Sequence, residues 1–280
     1  MNRALQIQEV ARDLLQRDKV SCVIGYEEGS RGHARPAFIY DSKDVDKLIF
    51  DETCTHNLVR YLHKRENEYI AIVIKPCDAR AINVMLAENK LFREHIFIIG
   101  IKCEGEGIKV HGELQDRCAR CTERTPVIYD KLIVGDPSVV SHDTPAGEIA
   151  YKQIEQLSAK EKMEFWLSQF DQCIRCYACR QACPICNCPV CLYERDDSHW
   201  VGIGIGISEK RSFHLGRAFH LAGRCIGCNE CERVCPVELP VSMLNQKIHQ
   251  EMKNIFNYTP GSSQTLSPLT TQLSSEEVLP

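Results

Sequence analysis

The period of hydrophobic and polar positions changes along the chain. At the start, "MNRALQIQEVARDLL" sets apolar residues among charges at helical spacing and predicts an amphipathic helix. "YIAIVI" (69–74) is a short apolar run rich in β-branched residues and predicts a buried strand. "KPCD" follows, then "ARAINVMLAENKLF", a helix with Ile82, Met85 and Leu86 on one face and Asp78 placed as its N-cap. "HIFIIGI" (95–101) reads as the next buried strand. A strand–helix–strand order predicts parallel strands joined by a right-handed crossover. Further on the helical period dominates. "SAKEKMEFWLSQF" opens on a capping box of Ser158 with Glu161, and "EKRSFHLGRAFHLAG" stops at Gly223. "VSMLNQKIHQEMKNIF" places Val241, Leu244, Ile248, Met252 and Ile255 on one face.

These patterns predict an α/β N-terminal domain (1–145) with a small parallel β-α-β core. A mainly α-helical domain follows (146–257), and "GDPSVVSHDTPAG" (135–147), with its prolines and glycines, connects the two. Residues 258–280 are Ser/Thr/Pro-rich and predict a disordered tail. "GIGIGIS" (202–208) fails the last spacing of a dinucleotide-binding glycine motif and reads as a flexible connector.

Composition alters this picture at one point. The chain has 280 residues, 44% hydrophobic, with a net charge of −4, so it is globular and carries no basic footprint for nucleic acid. No run reaches membrane-spanning length, and the N-terminus lacks a secretory cleavage pattern, so a cytoplasmic location is expected. Seventeen cysteines are unusual there. Reducing thiol pools keep cytoplasmic disulfides rare, and the number is odd, so the cysteines point to metal.

Their spacing is specific. "CIRCYACRQACP" is C-x2-C-x2-C-x3-C-P at Cys173, Cys176, Cys179 and Cys183; "CIGCNECERVCP" repeats it at Cys225, Cys228, Cys231 and Cys235. In two-cluster ferredoxins the first three cysteines of such a run hold one cubane and the fourth serves the other. The pattern therefore predicts Cys173, Cys176, Cys179 and Cys235 on one 4Fe–4S cluster, and Cys225, Cys228, Cys231 and Cys183 on a second. The helical flanks predict a dicluster ferredoxin-like domain without the small hairpin form. His214 and His220 read as structural or surface residues, since thiolates already serve these centres.

A further quartet comes from the first domain. Cys77 and Cys103 both follow parallel strands, at the sheet edge where open α/β sheets place ligands, and Cys118 and Cys121 add a C-x2-C pair. Four thiolates can converge there on iron–sulfur or on zinc. Three cysteines remain in "CPICNCPVC": Cys186, Cys188 and Cys191, on a loop shaped by Pro184 and Pro189. They predict a fourth metal centre, with Cys54 as the best-placed partner and Cys22 left over.

The same segments resemble known families. "KPCDARA", "IGIKCEG" and "CARCTERTPVIYDKLIVGD" resemble, over roughly residues 69–136, the beta subunit of deazaflavin-reducing hydrogenases and formate dehydrogenases. That resemblance implies one 4Fe–4S cluster on Cys77, Cys103, Cys118 and Cys121, and FAD as a further cofactor. "AFHLAGRCIGCNECERVCPVELPVSML" resembles two-cluster iron–sulfur subunits of formate dehydrogenase and heterodisulfide-reductase-like complexes. Similar joined modules occur in the anaerobic sulfite reductase A subunit and the sulfhydrogenase beta subunit. The expectation is an iron–sulfur electron-transfer subunit with three or four clusters, in complex with flavin, hydrogenase, formate dehydrogenase or heterodisulfide-reductase-like subunits. The alternatives are a flavin-containing subunit acting on a deazaflavin or nicotinamide, and a zinc-stabilised scaffold.

Overall fold

The computed structural model describes residues 2–65, 67–103, 109–110, 113–114, 116–119, 121, 123–135, 146–195 and 201–270. Helix α1 (Arg3–Gln16) is capped by Asn2, whose side chain accepts from Ala4 N at 2.9 Å, and it buries Ile7, Ala11, Leu14 and Leu15. Strands β1 (Cys22–Glu28), β2 (Ala34–Ile39), β3 (Leu48–Ile49) and β4 (Ile70–Ile74) come next, then helix α2 (Pro76–Ala87) and strand β5 (Ile96–Ile101). The short β6 (Lys109–Val110) and β7 (Glu113–Leu114) pair with each other; α3 (Asp116–Ala119) and β8 (Lys131–Ile133) follow. One six-stranded sheet runs β2-β1-β4-β5-β8, with β3 also paired to β1. The β1–β4, β4–β5 and β5–β8 pairs are parallel, and β2 and β3 lie antiparallel to β1. The expected parallel β-α-β unit is thus β4-α2-β5. All five residues of β4 are buried, as expected of a strand covered on both faces.

Helix α2 starts earlier than Asp78. Pro76 occupies its first turn, where a missing N–H costs nothing and a fixed φ already suits the helix. Asp78 sits three residues inside the cap position, and its Oδ2 accepts from Lys75 N at 3.1 Å. Cys77 therefore lies in the first helical turn, not on a loop.

Beyond residue 146 the described chain is helical: α4 (Ala146–Gln156), α5 (Ala159–Asp171), α6 (Ala178–Ala182), α7 (Ile207–His220), α8 (Glu230–Arg233) and α9 (Val241–Phe256). The Ser158–Glu161 capping box opens α5. On α9, Val241 and Met252 are buried, while Ile255 is 68% exposed, so the expected apolar face does not extend through its last turn. The helical unit shares a core with the sheet unit, because Cys183, Ile185, Leu221, Ile226 and Cys228 join the cluster of buried residues around β4 and β5.

Two expectations about loops change. Residues 258–270 are ordered against α2: Arg80 donates to Pro260 O at 2.9 and 2.8 Å, and Asn83 donates to Gly261 O at 3.0 Å. Gly261 has φ +74° and lies so close to the Arg80 carbonyl that a Cβ there would collide with it. Residues 271–280 of the expected tail, and 136–145 of the expected connection, lie outside the described residues. The "GIGIGI" segment is fastened, since Arg175 Nη1 donates to Gly202 O at 2.6 Å and to Gly204 O at 2.8 Å.

Candidate metal centres

The two ferredoxin-type motifs fold into the same loop. Arg175 and Tyr177 have left-handed backbone (φ 52° and 59°), and so do Gly227 and Asn229 (φ 70° and 53°). In each motif these are the second and fourth residues after the first cysteine. A short helix follows each loop, α6 or α8. Left-handed geometry costs about 1–2 kcal/mol for each non-glycine residue, so its repetition marks a cradle held in place by its surroundings. In the first loop Arg175 N donates to Cys173 Sγ at 3.3 Å.

The fourth cysteine of each motif lies near cysteines of the other. Cys235 packs with Cys173, Cys179 and Cys231 in a small core that includes Leu239 and Val241. Burial raises the Cys173 thiol, and the neighbouring Cys235 and Cys176 raise it further. Burial likewise pushes Cys179 up to about 11, with Cys173, Cys176 and Cys235 adding to the effect. Cys183 sits with the other loop. Burial raises the Cys231 thiol, with Cys225, Cys183 and Cys179 adding to the effect, and burial also raises Cys225 and Cys228 beside Cys183. Cys183 itself is held low, because Cys186 donates to it and Arg217 lies nearby.

Cys77, Cys103, Cys118 and Cys121 line one cavity of about 960 Å³, together with Cys225 and Cys228 of the second motif. Three features of the sheet edge bring them there. Cys77 follows β4, Cys103 follows β5 with its N–H on Arg124 O at 2.8 Å, and Cys121 N closes a turn onto Cys118 O at 3.2 Å. Burial raises the Cys77 thiol, with Asp78 and Cys118 adding to it and Lys75 and Arg117 opposing. Cys121 is raised by burial and by Cys118 and Cys103.

Cys186, Cys188 and Cys191 line a separate pocket of about 490 Å³ with Arg180, Arg217 and His220. Cys54 has different surroundings. It is buried beside Asp51, whose N–H donates to its sulfur at 3.4 Å, and burial pushes its thiol up to about 12. The structure does not place Cys54 among the residues lining the three-cysteine pocket. Cys22 is buried in β1. His214 is stacked on Phe170 with ring centroids 4.9 Å apart, and His220 is exposed.

None of the seventeen cysteines is paired in a disulfide. Among the described residues, no group of three or more His, Cys, Asp or Glu side chains closes on a single ion. A cubane gives each of its irons a separate thiolate, so its four ligands need not meet at one point. The quartets fit such a group on a further observation. Arg217 and Arg117 are buried against these cysteines, and the Nε of each has no hydrogen-bond partner among the described residues. Arg117 Nη1 donates to Cys228 O at 2.6 Å and to Glu230 Oε1 at 3.0 Å, and Nη2 donates to Thr55 O at 2.7 Å. Neither arginine was marked by the cysteine spacing. In a sequence, a cation on a helical pattern reads as solvent-facing.

Comparison with known proteins bears on the whole chain. F420-dependent formate dehydrogenase subunit beta of Methanocaldococcus jannaschii is 22% identical over 353 aligned positions, which cover 91% of each chain. F420-dependent formate dehydrogenase 1 subunit beta of Methanococcus maripaludis is 23% identical over 352, covering 91% of this chain and 90% of that one. The chain is similar to formate dehydrogenase beta subunits along nearly its whole length. This is the family whose motifs the Pro-Cys turn and the C-x2-C pair resemble. A shorter likeness, 28% over 99 residues, joins 35% of this chain to 10% of acetyl-CoA decarbonylase/synthase complex subunit alpha 1 of Methanosarcina mazei. No family model matches the chain. No helix among the described residues is long and apolar enough to cross a membrane.

Proposed function

We propose that this chain is the iron–sulfur electron-transfer subunit of an anaerobic, cytoplasmic oxidoreductase complex, of the formate dehydrogenase, hydrogenase or heterodisulfide-reductase-linked kind. The observation that carries this reading is the serial arrangement of three cysteine quartets. Cys225 and Cys228 border the cavity of the N-terminal quartet, and Cys231 packs with Cys173 of the remaining one. Cys77, Cys103, Cys118 and Cys121 would hold one 4Fe–4S cluster, Cys225, Cys228, Cys231 and Cys183 a second, and Cys173, Cys176, Cys179 and Cys235 a third. Such clusters supply single-electron transfer; this chain supplies their spacing, burial and hydrogen bonds. The relatives named as formate dehydrogenase beta subunits support a place beside other redox subunits.

The test is anaerobic reconstitution of the full chain, followed by iron and acid-labile sulfide analysis. Roughly twelve irons are expected for three four-iron centres. A value near eight removes the N-terminal site, and zinc without sulfide replaces the relay with a structural scaffold. The cavity of about 960 Å³ favours a second reading, a flavin-containing subunit acting on a deazaflavin or nicotinamide, because its volume suits a cofactor of that size. Release of FAD on acid extraction would support it.

A further inference from the structure

Arg217, on α7, stands between the two ferredoxin-type motifs. It is only 6% exposed. Its Nη2 donates to Cys179 O at 3.0 Å, while its Nε is buried without a hydrogen-bond partner among the described residues. The opposite charges facing it are those of Cys183, Cys231, Cys186 and Cys179, and among the described residues it makes no ion pair with a carboxylate. A buried guanidinium without a counter-charge is strongly unfavourable. Thiolates supply that counter-charge, and metal binding would fix these cysteines in that form. Cys179 belongs to one quartet, and Cys183 and Cys231 belong to the next.

Arg117 occupies the comparable place on the other flank. It donates to Cys228 O, and Cys77 and Cys118 lie near its charge. Its partner Glu230 also takes two bonds from Arg233, at 3.1 and 2.8 Å, so one carboxylate is shared by two cations. The middle quartet thus has a buried arginine on both sides, while buried Lys75 flanks the N-terminal quartet and buried Arg175 and Lys210 flank the remaining one.

We propose that Arg217 is a positioning residue that sets the reduction potentials of the two ferredoxin-type centres. The proposal rests on the iron–sulfur reading above. One-electron reduction breaks no bond and adds one negative charge to a centre. A fixed cation in a low-dielectric site therefore favours the reduced form.

The experiment uses the full chain, reconstituted anaerobically with iron and sulfide and titrated with dithionite through redox mediators while EPR is recorded. Cys176→Ser and Cys228→Ser variants, each altering one centre, assign the signals. Arg217→Gln should keep its iron and shift both ferredoxin-type centres to lower potential, leaving the N-terminal centre unmoved. Arg217→Lys, which keeps the charge, should stay near wild type. Unmoved potentials in a fully loaded Arg217→Gln protein would overturn the proposal. Should Arg217→Gln fail to load, Arg217→Lys decides. Full iron with near-wild-type potentials supports the electrostatic role, whereas lost iron or displaced potentials make the guanidinium a structural fork and overturn it. Wild-type protein without iron and sulfide would instead remove the iron–sulfur reading itself.

Discussion

Cys235 is the residue whose place depends most on the fold. In sequence it closes the second motif; in space it shares a small core with Cys173 and Cys179 of the first as well as with Cys231 of its own. Its sulfur accepts from Leu239 N at 3.3 Å, which fixes its direction. Cys235→Ser should therefore disturb the centre formed with Cys173, Cys176 and Cys179, and leave the signal of the Cys225 loop intact. EPR of the reduced variant checks this, and a change confined to the Cys225 loop would reject the crossed pairing. The cysteines were legible because their spacing is a chemical requirement. The buried arginines were not, because no local pattern distinguishes an arginine facing thiols from one facing water. The left-handed positions were half legible: Gly227 and Asn229 suit that geometry, while Arg175 and Tyr177 give no sign of it.

At the scale of elements, β4-α2-β5 places Cys77 through a buried polar network. Lys75 Nζ bonds to the Tyr26 hydroxyl, donates to His56 O at 2.7 Å, and pairs with Asp78 Oδ2 at 2.9 Å. Asp78 also caps α2, so one carboxylate both starts the helix and neutralises a buried lysine. Asp78→Ala should destabilise the protein by about 3–5 kcal/mol, because it strands the Lys75 charge. Chemical denaturation measures this. The double variant Lys75→Met/Asp78→Leu should recover much of the loss, and an equal loss in both would refute the ionic explanation. The strands were legible from their unbroken apolar runs. The start of α2 was not, since Pro76 reads equally well as a turn and as a first helical residue. Residues 258–270 were misread because their composition is that of a tail, while their order comes from Arg80 and Asn83 on a distant helix.

Across the whole molecule the cysteines of the three proposed quartets run from the cavity at the sheet edge, through the core of Cys231 and Cys173, to Cys176, which is exposed. The loop of Cys186, Cys188 and Cys191 lies beside the middle of that run. Arg180 fastens it, donating to Cys188 O at 2.7 Å while pairing with Glu194 at 3.2 Å. Cys188 is exposed and Cys186 and Cys191 are half-buried, and thiols so close together, one of them open to solvent, oxidise readily unless something binds them. A metal would fix them as thiolates beside Arg180 and Arg217, where positive charge favours that form. Since Cys54 is buried beside Asp51, the loop itself supplies three ligands to such a site. Replacing all three cysteines by serine and comparing iron, zinc and sulfide with wild type decides the matter. A cubane would be lost as about four irons, and a structural site as a single zinc. Unchanged content in a folded variant would leave these thiols as the lining of a neighbouring centre, and the run would then end at three.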